Sequence, residues 1–385
     1  MRTILAIPLL LAATAVHAQW EIEESHTTTA LRGIDNVGGG IAWASGAHGT
    51  VLRTEDGGYL WQTCNIPPGA EKLDFRGVQA FDQNTAIVMS SGPGDQSRLY
   101  KTTDGCQSWK LLLTNPDKEG FWDALRFGAN SGPSPTGGVN RCFGVLVGDP
   151  VGGHFPVFLT SDCGETWRRE AQASPAALPT GESLFAASNS SLTVTGAGVG
   201  EIVSGGKAGA RLLTFWVGGV DAKTKDEQPN AAESPRRASG SQSSYSLPNP
   251  EPSESSGAFS IAQGNHTIVI VGGDYSRPER GMSWFKADGN RGTPSNWTLS
   301  KMPPHGYRSA VAYDSVAKIW IAVGPNGTDI STDNGRSWGA LTPAALDVPG
   351  ADKNWNALSL PFVVGPNGRI GKFRSTALPA PGKRE

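Results

Sequence analysis

The sequence predicts an all-β fold assembled from repeated hairpins, and three observations predict it. One short phrase occurs four times: Thr or Ser, one residue, Asp, then glycine and a closing Trp. Its copies are Thr54/Asp56/Trp61, Thr102/Asp104/Trp109, Thr160/Asp162/Trp167 and Ser331/Asp333/Trp338. Each copy follows an apolar, β-prone run and precedes a second short one, so the phrase reads as a hairpin connection. The 385 residues hold 50 Gly and 27 Pro at 38% hydrophobic content, which suits many short strands and turns.

Within the phrase, the Asp carboxylate can accept bonds from nearby backbone N–H groups, as in an Asx-turn. The glycines supply positive φ, and the Trp anchors the strand that follows. Asp56, Asp104, Asp162 and Asp333 are therefore read as structural. A calcium loop would need further oxygen ligands at regular spacing, and these are missing. The fourth copy also contains Gly335-Arg336-Ser337-Trp338-Gly339, a G-x-S-x-G match. A nucleophile elbow needs a helix after the serine, and the residues that follow, GALTPAALDVPG, form none.

The four phrases resemble Asp-box (BNR) repeats, which occur in β-propellers. The runs GYRSAVAY, IAVGPNG and IVGGDY are similar to the branch of photosystem II stability/assembly factors. The resemblance covers nearly all of the chain after residue 19. It implies blades of four antiparallel strands with the Asp-box in the turn between the third and fourth. On that layout, inner strands begin near residues 31, 75, 122, 183, 258, 307 and 356, giving a single seven-bladed propeller. The last blade lacks a fourth strand. Residues 19–25, QWEIEES, have the form of the other outer strands and are expected to complete it, closing the ring and removing an exposed edge. Residues 221–256 are rich in Ser and Pro, with few large apolar side chains, and read as a flexible insertion. A worn Asp-box is expected at Asp288.

The N-terminus reads as a secretory signal. Arg2 is followed by an apolar run over 4–15, and small residues at Val16 and Ala18 place cleavage after Ala18. That run is too short to span a membrane, and no cysteine stands near the cleavage point for lipidation. No later apolar run is long enough to span either. The mature chain, 19–385, is therefore expected to be exported, to the periplasm or the extracellular space. A net charge of −2 gives no basic surface for nucleic acid.

Export permits disulfides. In the layout that the resemblance implies, Cys142 with Cys163 and Cys64 with Cys106 are the favoured pairs. Four cysteines allow three connectivities, and free buried thiols are a further alternative. No cofactor is expected: no G-x-G-x-x-G stands between a strand and a helix, no H-E-x-x-H or C-x-x-C occurs, and the histidines are scattered.

Propellers of this kind commonly bind on the face where the inner strands begin. The resemblance thus points to Arg32, Arg76, Asp123, Glu182 and Arg308 at inner-strand starts, with Asp149, Asp274 and Tyr275 from adjacent loops. Arginine forks suit carboxylate or phosphate groups. The function implied is a binding or assembly scaffold for a protein partner or membrane-complex subunit. The competing reading is a glycoside hydrolase acting on glycans, with Asp123, Asp149, Glu182 and Asp274 as candidate carboxyl groups. Sialidases share Asp-boxes, but their F/Y-R-I-P sequence has no counterpart in FRGV or LRGI. The same arginines and acids, paired with one another, would instead brace the ring.

Overall fold

The computed structural model describes residues 19–128, 142–170, 178–195, 198–217, 243–249, 251–287 and 297–375. The signal sequence expected at 1–18, the insertion over 221–242 and the turn at Asp288 lie outside the described residues. The regular elements described are β-strands apart from one 3-10 turn at Gly94–Gln96. Among the described residues no helix is long and apolar enough to cross a membrane.

The strands form six sheets, four of them plain four-stranded meanders. The first holds Leu31–Gly38, Ile41–Gly46, Val51–Thr54 and Gln62–Thr63. The second holds Phe75–Ala80, Ala86–Ser90, Arg98–Thr102 and Lys110–Thr114. The third runs from Trp122–Phe127 through Gly144–Gly148 and Val157–Thr160 to Arg168–Arg169. Another runs from Ala310–Asp314 through Ile319–Gly324 and Gly327–Ser331 to Gly339–Ala340. Buried Val, Ile, Leu and Trp side chains fill the layers between neighbouring sheets; Trp43, Trp122, Trp284, Trp320 and Trp355 are wholly enclosed.

The fourth and fifth blades, expected as separate sheets, share one nine-stranded sheet. Val199–Gly206 meets Ser256–Gly264 through a single pair, Gly205 opposite Gly257. Two glycines allow this approach: a Cβ on Gly257 would lie 2.4 Å from Gly205 Cα. The described end of the expected insertion is also ordered. Ser243–Ser246 pairs with Arg211–Trp216, Leu247 is buried, and Trp284 Nε1 donates to Pro248 O at 2.8 Å. Tyr245 and Leu247 are apolar enough to seat this strand among serines.

Trp20–Glu23 pairs antiparallel with Ile370–Phe373, so both ends of the described chain share one sheet with Ala357–Ser359 and Phe362–Val364. The Trp20 ring stacks on Trp355 at 5.6 Å and meets Phe373 at 4.9 Å. Its backbone N–H donates to Asp347 Oδ1 at 2.8 Å.

The repeated phrase folds the same way in all four copies. The hydroxyl of Thr54, Thr102, Thr160 or Ser331 donates to the Asp two residues on, at 2.7–2.9 Å, and accepts an N–H from four residues on. The Asp accepts a further backbone N–H from four residues beyond it. At Asp104 the Ser108 hydroxyl and N–H, with the Thr102 hydroxyl, hold the carboxyl down to about 2. Trp61 and Trp338 are buried, whereas Trp109 and Trp167 are only half-buried anchors. Cys64 is bonded to Cys106 and Cys142 to Cys163; Cys106 and Cys163 stand in these turns with left-handed φ of 63° and 58°.

Side chains knit the inner strands together. Asp35 accepts the Ala80 N–H at 2.8 Å, Gln79 accepts the Phe127 N–H at 3.1 Å, and Ser260 accepts the Val311 N–H at 3.0 Å. Asn36 bonds Ser359 and the carbonyl of Leu360, and the Ser309 hydroxyl reaches Trp355 O at 3.4 Å. The fourth inner strand, expected to run on from residue 183, is interrupted. Residues 186–191 leave the ladder and serve three other sheets, together with the strand Ser256–Gly264 of their own sheet. Ser188 donates to Ser309 O at 2.7 Å. Asn189, at φ 61°, accepts the Leu125 N–H at 2.7 Å and donates to Val78 O at 3.3 Å. Ser190 donates to Ser260 at 2.7 Å. This buried segment fills the space between the inner strands.

Candidate functional site

Four inner strands carry a β-bulge near their first residue. The register slips between Leu31 and Gly33, Phe75 and Gly77, Trp122 and Ala124, and Ala258 and Ser260. The extra residues are Arg32, Arg76, Asp123 and Phe259. A bulge takes one residue out of the ladder and re-aims its side chain, so the same backbone device presents two arginines, an acid and an aromatic ring at equivalent places.

Arg32 and Arg76 converge on one acid, Asp74. Arg76 Nε donates to Asp74 Oδ2 at 2.9 Å, and Arg32 Nε lies 3.6 Å from Asp74 Oδ1. Arg76 also reaches Ala186 O at 3.3 Å, on the central segment, and its guanidinium lies 5.9 Å from the Phe121 ring. The arginine side chains keep 35% and 30% of their surface exposed. Two guanidinium groups against one carboxylate leave a net positive charge facing solvent.

Asp123 and Asp149 lie side by side. Trp122 is opposite Gly148, and the Asp149 N–H donates to Phe121 O at 2.8 Å. Asp123 is 1% exposed, and its Oδ2 has no hydrogen-bond partner. Burial, and then the neighbouring Asp149, push the Asp123 carboxyl well above the usual range, against the pull of Arg76. Burial raises Asp149 to about 6, opposed by the Leu184 N–H that its Oδ1 accepts at 2.9 Å. A close acid pair of this kind holds a proton near neutral pH.

Beyond Ala186 lies an aromatic group. Phe185 stacks on Phe259 with centroids 4.0 Å apart, and Tyr275 and Tyr307 meet Phe259 edge-on. Tyr275 is 53% exposed.

The remaining expected site residues are engaged internally. Arg308, 2% exposed, donates Nε to Asp329 at 2.7 Å and Nη1 to Asn326 and Tyr307 O. Glu182 is enclosed with Arg211 and the Ser204 hydroxyl. Asp274 accepts bonds from Ser255, Ser276 and Arg277; burial opposes its ionisation, but these donors outweigh it and hold the carboxyl below its usual range. Each of these three closes a local network that desolvation would make costly to open. Sequence reasoning missed Asp74, although it stands two residues before Arg76, and Phe185, which lies next to the central segment.

Neither a family model nor a curated protein matches this chain. Solved structures do. YCF48 from Cyanidioschyzon merolae superposes with a TM-score of 0.61 at 19% identity, over 94% of this chain and 100% of that one. A structure of YCF48 bound to D1 peptide gives 0.59 at 16% identity, over 93% and 97%. The GH74 xyloglucanase from Xanthomonas campestris gives 0.56 at 14% identity; 95% of this chain matches 55% of that enzyme. At these identities the likeness is one of fold, and the fold is that of a propeller.

Proposed function

We propose that the chain is an exported, closed seven-bladed Asp-box propeller that serves as a binding or assembly scaffold. The face where its inner strands begin takes an anionic segment of a protein partner. The observation that carries this reading is the half-exposed Arg32–Asp74–Arg76 fork, whose surplus positive charge suits a carboxylate. Ring closure is supported by the circuit of side-chain bonds between successive inner strands and by the seating of Trp20–Glu23 beside Ile370–Phe373. The Asp-box assignment is supported by the fourfold turn geometry, and export by the pattern of residues 1–18. The likeness to YCF48 bound to D1 peptide favours a protein as the partner, with a membrane-complex subunit as the client.

The test is a pull-down from native extract with the mature chain and an Arg32→Gln/Arg76→Gln variant. The partner should be lost from the variant while far-UV circular dichroism stays that of a folded chain, its melting temperature falling by about 4 °C or less as the ion pairs to Asp74 are lost. Retention of the partner would overturn the reading.

The Asp123–Asp149 pair favours a second reading, a glycan-acting hydrolase, because it keeps a carboxylic acid protonated near neutral pH. Hydrolysis of xyloglucan or sialyl substrates that disappears in Asp149→Asn would support it; inert wild-type protein would remove it.

A further inference from the structure

We infer that the partner segment carries a bulky apolar side chain close to its acidic group, and that Phe185 and Tyr275, backed by the buried Phe259 and Tyr307, form the corner that takes it. This rests on the proposed binding of an anionic segment at Arg32 and Arg76. The two features are continuous: Arg76 bonds the carbonyl of Ala186, whose chain neighbour is Phe185. Phe185 lies flat against Phe259, with planes 13° apart, while Tyr275 and Tyr307 stand at 88° and 76° to Phe259. Rings at right angles make a corner, not a flat platform. Tyr275 leaves more than half of its surface in solvent, and Phe185 is only partly covered.

Charge and hydrogen bonding select the occupant. A cation would suit an aromatic corner, but the surplus positive charge of the arginine fork repels one. A sugar stacks on flat rings and needs polar partners for its hydroxyls. The nearest carboxylate, Asp274, is already engaged by Ser255, Ser276 and Arg277, which leaves little to satisfy a ring of hydroxyl groups. An apolar side chain needs none of these, and its carboxylate neighbour meets the arginines. A peptide with a Glu or Asp beside a Phe or Leu satisfies both halves.

The experiment measures fluorescence anisotropy with labelled nonapeptides of Gly-Ser spacers carrying Glu-Phe, Glu-Ala or Gln-Phe at the centre, against the mature protein. Glu-Phe should bind about tenfold more tightly than Glu-Ala, the worth of one buried aromatic side chain. Tyr275→Ala and Phe185→Leu should each reduce that preference to about twofold while keeping the preference for Glu-Phe over Gln-Phe. Equal binding of Glu-Phe and Glu-Ala, or a Phe preference that survives both substitutions, would overturn the inference and leave the arginine reading standing. Equal binding of Glu-Phe and Gln-Phe, or no binding of any peptide, would overturn both. Binding of a neutral xyloglucan oligosaccharide that Tyr275→Ala abolishes would assign the corner to sugar and overturn the inference as well.

Discussion

Replacing Trp20 with Ala tests whether residues 20–23 are integral to the sheet they share with Ile370–Phe373. The ring is 3% exposed and packs on Trp355 and Phe373. Emptying such a site costs about 3–5 kcal/mol, made up of lost transfer energy and the cavity left behind. The backbone ladder to Ile370–Phe373 and the N–H bond to Asp347 survive the substitution, so little else should change. A loss of about 4 kcal/mol is expected, a large part of the stability of an ordinary domain. Urea unfolding of residues 19–385, followed by far-UV circular dichroism, measures it as a lower midpoint with an unchanged slope. Tyr275→Ala, at a half-exposed ring, is the control and should shift stability by about 0.5 kcal/mol or less. A Trp20→Ala loss below about 1 kcal/mol would refute the reasoning, because a strand whose anchor is dispensable does not close a sheet.

Other predictions concern the interior. Asp149 binds its proton more tightly folded than unfolded, with its carboxyl raised from 3.8 to about 6. The contribution of Asp149 to stability is therefore greatest below pH 4, falls as pH rises through 6 and then levels off. Asp149→Asn should flatten that fall and gain up to about 3 kcal/mol at pH 8 in denaturant titrations. Changing Cys64 and Cys106 together to Ser opens a link between residues 42 apart, which should cost about 4 kcal/mol on chain-entropy grounds, read from the same unfolding curves. Asn189→Ala leaves the Leu125 N–H and the Val78 carbonyl buried without partners. It should cost about 3 kcal/mol and speed amide exchange at Leu125 by more than tenfold, measured by hydrogen exchange.

What could be read in the sequence was what is local. The repeated turn rests on bonds between residues two and four apart, so four copies of one phrase were enough to describe it. Arg32, Arg76 and Asp123 were legible as strand-start residues because the bulge that re-aims each lies at that point. Arg308 occupies a similar position, but Asp329 arrives from a strand 21 residues later and takes its charge. Glu182 and Arg211 meet in the same way across the strand Val199–Gly206. Such pairings depend on which acid packs beside which base, and pattern does not carry that. The central segment was the least legible part: LFAASNSS reads as an ordinary strand, and the partners of Asn189 lie 64 and 111 residues away.

That segment lies between sheets made before and after it. The second and third sheets leave the ribosome ahead of it, with a carbonyl at Val78 and an amide at Leu125 that Asn189 later answers. Ser260 and Ser309, made later still, meet Ser190 and Ser188 already in place. A nascent fragment ending before residue 186 therefore keeps those two inner-strand groups open until this segment arrives about halfway through synthesis.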